Sequence, residues 1–179
     1  MPIISPNDSF LMIIDIQERL IKAVPQPEAL QRKAEILTQS AALLNVPVIF
    51  TEQYPQGLGA TLSSLAVANS QTFAKTHFSA LKEPEIKTAV LDSHKKQVVI
   101  CGIETHICVC QTAQELLQNG FEVFVVADAA GSRHDFEHQT ALAQLTHEGA
   151  HIVSTETVVF DWLESSKNPQ FKVVQSLIK

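Results

Sequence analysis

The stretch VVICGIETHICVCQTAQELLQNG, residues 98–120, decides the fold class. It begins with a short apolar run at 98–101, which is typical of a strand covered on both faces. An amphipathic segment follows, and Asn119-Gly120 provides a helix stop. The apolar positions of that segment recur at helical spacing: Val109, Ala113, Leu116 and Leu117. A strand followed at once by such a helix is half of a βαβ unit.

The rest of the chain repeats this alternation of strand and helix. Further apolar runs occupy residues 10–14, 46–50, 121–127 and 151–153, and a short strand is expected near 72–73, after a loop over 52–70. Helical patterns lie at 27–45, at 135–147 and within 156–179. The pattern predicts one domain over residues 1–179, a three-layer α/β/α fold with a mostly parallel sheet of about six strands in the order 3-2-1-4-5-6.

Composition indicates which classes of binding partner and which cellular compartment to expect. Thirteen basic and nineteen acidic residues give a formal charge of −6, and no Lys/Arg run exceeds Lys95-Lys96, so we expect no nucleic-acid partner. Residues 1–8 lack a signal-peptide pattern, and no stretch approaches the ~20 apolar residues of a membrane span. Three cysteines crowded into residues 101–110 suit a reducing compartment. We therefore expect a cytoplasmic protein without a membrane partner.

Three candidate site residues are expected at the carboxyl ends of the strands, where doubly wound sheets bind ligands. Asp15 ends the first apolar run, where it could serve as a base or cap the next helix. Cys108 falls in the first helical turn, which favours a thiolate, although free cysteines are more often inert core residues, as we expect for Cys101 and Cys110. Lys75 is either a solvated charge or the cation that keeps the other two ionised.

Taken in order, these motifs resemble those of a known family. The segment GIETHICVCQTA, residues 102–113, resembles the nucleophile motif of the isochorismatase-like cysteine hydrolases. Asp15-Ile16-Gln17 resembles that family's aspartate motif, and Lys75 resembles its catalytic lysine. Asp128-Ala129 and Ser132-Arg133 also match the family pattern. Within the family, the loop TEQYPQGLG, residues 51–59, is most similar to small isochorismatase-domain proteins whose substrates are poorly defined.

The resemblance implies a mechanism. Asp15 takes the Cys108 proton, Lys75 stabilises the charged pair, and the thiolate attacks an amide or related acyl carbon to form a thioester. The backbone N–H groups of Glu104 and Cys108 form the oxyanion hole, with a cis peptide between Ile103 and Glu104.

The resemblance also implies what the site binds. The partner is a small-molecule substrate contacted by Gln17, Tyr54 and Phe78, and the chain assembles into a homo-oligomer of two or more subunits. Nicotinamidase members of the family place metal-binding Asp and His residues in the loop at 51–59. Here the loop holds Glu52 and Gln53 but no histidine. We therefore expect no cofactor and no metal.

Several alternatives stay open on the sequence alone. His134 and His138 are four apart on a predicted helix, with Asp135 between them, which is suitable spacing for two ligands of a structural metal. His106 beside Cys108 raises the possibility of a Cys-His dyad, although neighbours on a turn rarely have the geometry for proton transfer. A vinyl-ether hydrolase that uses an aspartic acid without the thiol, and a non-catalytic oligomeric scaffold, are the rival functions.

Overall fold

A computed structural model describes residues 2–179, with a parallel sheet at its centre. The strand order is β3-β2-β1-β4-β5-β6, and each neighbouring pair is parallel. The strands are β1 (Ser9–Ile14), β2 (Val48–Gln53), β3 (Ser70–Lys75), β4 (Gln97–Ile103), β5 (Glu122–Gly131) and β6 (His151–Val153). The predicted α/β class and the predicted strand order are therefore confirmed.

Helices cover both faces of this sheet. They are α1 (Pro27–Leu43), α2 (Pro55–Leu58), α3 (Pro84–Asp92), α4 (Cys110–Gln118), α5 (Asp135–His147), α6 (Thr155–Leu163) and α7 (Phe171–Ile178). Buried side chains of α1, α6 and α7 pack on one face, and those of α3, α4 and α5 pack on the other. Within residues 2–179, none of these helices combines the length and the hydropathy needed to cross a bilayer.

The continuous apolar runs follow from this three-layer packing. In β1, Leu11 and Ile13 belong to the core under α1, whereas Met12 and Ile14 belong to the core under α3 to α5. Because side chains alternate across a strand, a strand buried on both faces has no polar face to show. All six residues of β1 are accordingly buried.

Three elements differ from the prediction. Helix α3 was not predicted, because it buries only Ile86 and Val90 and so leaves a weak apolar stripe. The terminal helical segment is divided into α6 and α7, since Glu164 leaves the helical conformation with φ of 58°. The loop expected over 52–70 is shorter than predicted, because β2 extends to Gln53 and α2 follows it.

Gly102 brings the ends of β1 and β4 together. Its φ of 128° suits glycine, and a Cβ placed there would collide with the carbonyl oxygen of Ile14. The backbone of β4 can therefore lie directly against the last residue of β1. This close approach sets the segment after β4 beside Asp15.

Candidate active site

The three residues singled out in the sequence lie at the carboxyl ends of three strands. Asp15 follows β1, Lys75 ends β3, and Cys108 lies in a single π-helical turn (Thr105–Val109) between β4 and α4. Lys75 Nζ is 2.8 Å from Asp15 Oδ2, and neither side chain is exposed to solvent. The charges of both groups act on the Cys108 thiol. The fold thus gathers an acid, a cation and a thiol in one enclosed cluster.

Asp15 is held by a different partner at each carboxylate oxygen. The Thr51 hydroxyl donates a 2.7 Å hydrogen bond to Oδ1, and Lys75 contacts Oδ2 as an ion pair. No donor within residues 2–179 reaches Oδ2 with hydrogen-bond geometry, so this oxygen retains capacity to accept a proton. The alternative role of Asp15 as a helix cap is excluded, because the next helical turn begins only at Ile21.

The Lys75 ammonium sits in a cage of oxygen atoms. Besides Asp15 Oδ2, its Nζ contacts Gln53 Oε1 at 2.6 Å and the carbonyl oxygens of His77 and Phe78 at 3.2 and 3.1 Å. An ammonium has three protons, and four acceptors already surround it. Lys75 is therefore a fixed buried cation rather than a solvated surface charge.

The Cys108 thiol is protonated at rest, which corrects the expectation that its position at a helix start favours a thiolate. The pKa of Cys108 is raised to about 12, because burial and the Asp15 carboxylate raise it more than the Lys75 ammonium lowers it. The side chain is 7% exposed. Desolvation of a thiolate outweighs the field of one helical turn. Attack by this sulfur would therefore need a base to remove its proton.

The other two cysteines lack such surroundings. Burial raises the pKa of Cys101, in β4, and the charge of Asp128 adds to the effect. Burial also raises the pKa of Cys110. No cation is among the groups that act on either thiol, so of the three cysteines Cys108 alone faces both a carboxylate and an ammonium.

The segment after β4 contains Glu104, whose backbone N–H was expected to be an oxyanion donor. The Ile103–Glu104 peptide is cis, as the family resemblance implies. The Glu104 carboxylate accepts hydrogen bonds from Arg133 N at 3.0 Å and Arg133 Nε at 2.8 Å, which ties this segment to the end of β5. Within residues 2–179, the Glu104 backbone N–H has no acceptor, so it is available to a ligand.

Two histidines form hydrogen bonds at the π-helical turn. His138 Nδ1 lies 2.9 Å from the Thr105 hydroxyl, and His106 Nδ1 lies 3.0 Å from the Ser132 hydroxyl. Burial lowers the pKa of His138, which favours its neutral form. Among residues 2–179, no group of three His, Cys, Asp or Glu side chains is arranged to hold a metal. The groups that act on the Cys108 thiol are Asp15 and Lys75 and do not include His106, which does not support a Cys-His dyad.

The Gln17 side chain, which was expected to contact the substrate, is bonded to the protein's own backbone. This side chain is fully buried, Oε1 accepts from Gln53 N at 2.8 Å, and Nε2 donates to the carbonyl oxygens of Gln53 and Gly59. Gln17 therefore braces the loop after β2. Tyr54 and Phe78 are 57% and 53% exposed at the ends of β2 and β3, so they could meet a substrate from outside.

The cluster is enclosed rather than open to solvent. A cavity of about 140 Å³ adjoins Lys75 and is bounded by Tyr54, Thr76 and Glu83, among others. Three larger hollows, of about 550, 490 and 410 Å³, lie beside α3, beside α1 and between α3 and α4, and none of them is lined by Asp15, Lys75 or Cys108. Approach to the cluster is therefore expected from the side of Tyr54.

Sequence reasoning missed the residues that hold the cluster in place. Thr51 binds Asp15, and Gln53 binds Lys75. Their spacing carried a usable signal, because residues i and i+2 of a strand face the same side. Two polar residues at that spacing, at the end of the strand next to β1, could have been assigned to the site.

Comparisons with known proteins identify the family of this chain. Residues 9–157 match the family model described as isochorismatase domain. Isochorismatase domain-containing protein 2 from Bos taurus is 38% identical over 176 residues, which cover 97% of this chain and 84% of the relative.

Solved structures show the same fold. MAR1 ribonuclease from Caenorhabditis elegans has a TM-score of 0.93 and 34% identity, over 99% of this chain and 92% of that one. YcaC from Pseudomonas aeruginosa, solved with hexane-2,5-diol and covalent acrylamide, has a TM-score of 0.93 and 25% identity, over 97% and 90%. YcaC from Escherichia coli, an octameric hydrolase of unknown specificity, has a TM-score of 0.94 and 24% identity, over 99% and 90%.

Proposed function

The chain belongs to the isochorismatase family, and we propose that it is a hydrolase that cleaves a small amide or related acyl compound through a thioester on Cys108. The observation that carries the proposal is the enclosed ion pair of Asp15 and Lys75, whose charges both act on the Cys108 thiol. A buried carboxylate, cation and thiol at three strand ends suit nucleophilic catalysis better than packing.

The first half of the reaction forms the thioester. The Cys108 S–H proton passes to Asp15 Oδ2, and the sulfur electron pair forms a bond to the substrate carbonyl carbon. The carbon–nitrogen bond then breaks, and the amine leaves with the proton that Asp15 carries. Because the thiol is protonated at rest, proton transfer accompanies attack, and the free acceptor capacity of Oδ2 supports this role.

The second half releases the acid. Water attacks the thioester carbon while Asp15 accepts a proton from that water. The carbon–sulfur bond breaks, the carboxylic acid leaves, and the proton returns to the Cys108 sulfur. Lys75 keeps its charge throughout and holds Asp15 in place.

Negative charge on the substrate oxygen needs donors in both halves of the reaction. The backbone N–H groups of Glu104 and Cys108 are assigned to this oxyanion. The absence of an acceptor for the Glu104 N–H within residues 2–179 supports this assignment. The bonds from Arg133 to the Glu104 side chain fix the peptide that carries the donor.

The proposed substrate class is a small neutral amide. The covalent acrylamide in Pseudomonas aeruginosa YcaC is a small amide, and it supports access of such compounds to a reactive group in that protein. The side chains of Tyr54 and Phe78 are proposed to meet the rest of the substrate. The ribonuclease description of the Caenorhabditis elegans protein makes RNA a necessary control, although a net charge of −6 does not favour a polyanion.

A panel of small amides incubated with the protein tests the proposal. We expect a covalent adduct on Cys108, seen by mass spectrometry of the intact chain and its peptides, and no adduct in Cys108→Ala. Turnover that persists in Cys108→Ala would instead favour vinyl-ether hydrolysis with Asp15 as the acid. Absence of adduct and of turnover across all substrates, RNA included, would favour a non-catalytic scaffold.

The same preparation tests the remaining proposals. Activity is expected to survive EDTA, and loss of turnover that zinc restores would contradict this. A homo-oligomer is proposed, supported by the octameric Escherichia coli structure, and light scattering of the purified protein would measure it. A cytoplasmic location is proposed from the cysteine pattern and is checked by fractionation.

A further inference from the structure

The turn that follows Lys75 is held by a single carboxylate outside the proposed triad. Glu83 Oε1 accepts hydrogen bonds from Thr76 N at 2.8 Å, His77 N at 3.1 Å and Thr76 Oγ1 at 3.3 Å. His77 Nδ1 lies 2.9 Å from the same oxygen. These hydrogen bonds, led by that of the Thr76 backbone, hold the pKa of Glu83 at about 2. One ionised oxygen therefore organises two consecutive residues of the turn.

The same turn supplies most of the neutral oxygen cage around Lys75. The carbonyl oxygens of His77 and Phe78 contact Nζ directly. The Thr76 carbonyl accepts a 2.8 Å hydrogen bond from Gln53 Nε2, which aims Gln53 Oε1 at Nζ. Each neutral acceptor of the ammonium is therefore either part of the turn or oriented by it.

The backbone of Glu83 is anchored to the buried helix layer. Its backbone N–H bonds to the Ala80 carbonyl at 3.1 Å, and Pro84 begins α3 immediately after it. Ala80 is fully buried, and its own N–H bonds to the Thr112 hydroxyl, one turn beyond Cys108 in the helical segment. The carboxylate thus links the helix layer to the turn that surrounds Lys75.

We propose that Glu83 is a positioning residue, which latches the turn Thr76 to Phe78 so that the Lys75 ammonium is held where it acts on Asp15 and Cys108. The inference rests on the proposed function, because it assigns Glu83 a role through the triad. It goes beyond that function by naming a residue whose side chain bonds to Thr76 and His77 and not to the side chains of Asp15, Lys75 or Cys108.

Alkylation of the intact protein by iodoacetamide, followed at each cysteine by peptide mass spectrometry between pH 7 and 9, tests this inference. In Glu83→Ala we expect Cys108 to react about three- to tenfold more slowly than in wild type, because a displaced cation lowers the thiol pKa less and each pH unit is tenfold in thiolate. Glu83→Gln, which keeps an acceptor without its charge, should lie between the two. Lys75→Met should show the largest loss.

The direction of change separates positioning from a merely structural role. Loosening of the fold would speed alkylation at Cys101, Cys108 and Cys110 together, whereas loss of positioning slows Cys108 alone. Glu85→Ala is the matched control, since Glu85 lies in the first turn of the same helix and makes no side-chain hydrogen bond within residues 2–179; it should match wild type.

Three results would overturn the inference. The first is faster alkylation of all three cysteines in the Glu83 variants, which would show a merely structural role. If Cys108 is alkylated at the wild-type rate in both Glu83 variants but more slowly in Lys75→Met, the role of Glu83 is contradicted and the proposed triad is not. An unchanged rate in Lys75→Met would overturn the triad and the latch together. Formation of the substrate adduct on Cys108 is measured separately, so the two proposals fail in distinguishable ways.

Discussion

The ion pair of Asp15 with Lys75 and the ion pair of Lys82 with Glu115 have the same nitrogen-to-oxygen distance, 2.8 Å. In the first pair neither side chain is exposed, whereas in the second the side chains are 61% and 20% exposed. Water screens the second pair, and it costs little to separate. In the first pair, protein groups take the place of water: a hydroxyl bonds to Asp15, and a side-chain amide and two carbonyl oxygens bond to Lys75. Distance alone therefore does not rank these pairs, since burial and the surrounding hydrogen bonds decide what each does.

Removal of the lysine from each pair should give the largest difference in the free energy of unfolding between the two pairs. Lys75→Met leaves the Asp15 carboxylate buried without a counter-charge, so we expect the free energy of unfolding to fall by about 3–5 kcal/mol. Lys82→Met should cost about 0–1 kcal/mol. Urea denaturation of both variants measures the two values. Equal losses would show that the enclosure of the first pair has no energetic consequence.

The double variant Asp15→Asn, Lys75→Met sharpens the same comparison. A buried charge left alone is costly, but removal of both charges relieves that cost. We therefore expect the double variant to recover part of the stability lost in Lys75→Met, by about 1–3 kcal/mol of coupling. Losses that simply add would contradict a direct interaction between the two side chains.

The hydroxyl of Thr51 should matter less than the cation. Thr51→Val keeps the shape and removes the 2.7 Å hydrogen bond to Asp15 Oδ1, so a buried acceptor loses its donor at a cost of about 1–3 kcal/mol. Thr72→Val is the matched control, because Thr72 is exposed on the edge strand β3. The control should change the free energy of unfolding by less than about 0.5 kcal/mol. A wild-type stability for Thr51→Val would show that the carboxylate does not depend on this hydroxyl.

More of the fold than of the candidate site could be predicted from the sequence. Doubly buried strands produce apolar runs that are legible without a structure, and Asp15, Lys75 and Cys108 could be singled out as strand-end residues. Electrostatics could not be read in the same way. Whether a helix start favours a thiolate at Cys108 depends on how deeply the sulfur is buried, and burial is a property of the folded chain.

The supporting residues were harder to find because their roles come from hydrogen bonds that the apolar pattern of the sequence does not show. Gln17 looked like a substrate contact from its place in the aspartate motif, yet its amide is bound to the backbone of residues 53 and 59. Glu83 lies before a helix that had too weak a stripe to be predicted. The bonds of Gln17 depend on which strands are neighbours. The bonds of Glu83 depend on the conformation of the turn at residues 76–77, which the apolar pattern of the sequence does not show.

The smallest expected effect is the pH dependence of the stability that Glu83 contributes. Glu83 is partly exposed, as the Lys82–Glu115 pair is, but it accepts several hydrogen bonds, as the groups of the buried pair do. Because its pKa falls from 4.5 to about 2 on folding, the carboxylate contributes stability that is fully present above about pH 4.5 and is lost as pH falls toward 2. The gap in free energy of unfolding between wild type and Glu83→Gln should therefore be widest above pH 4.5, at about 1 kcal/mol or less, and should narrow toward pH 2. Urea denaturation at pH 6, 5, 4 and 3 measures this gap, with Glu85→Gln as the control expected to follow wild type. A gap of constant size across this range would mean that the hydrogen bonds at Glu83 do not require its charge, and the latch would then act by shape alone.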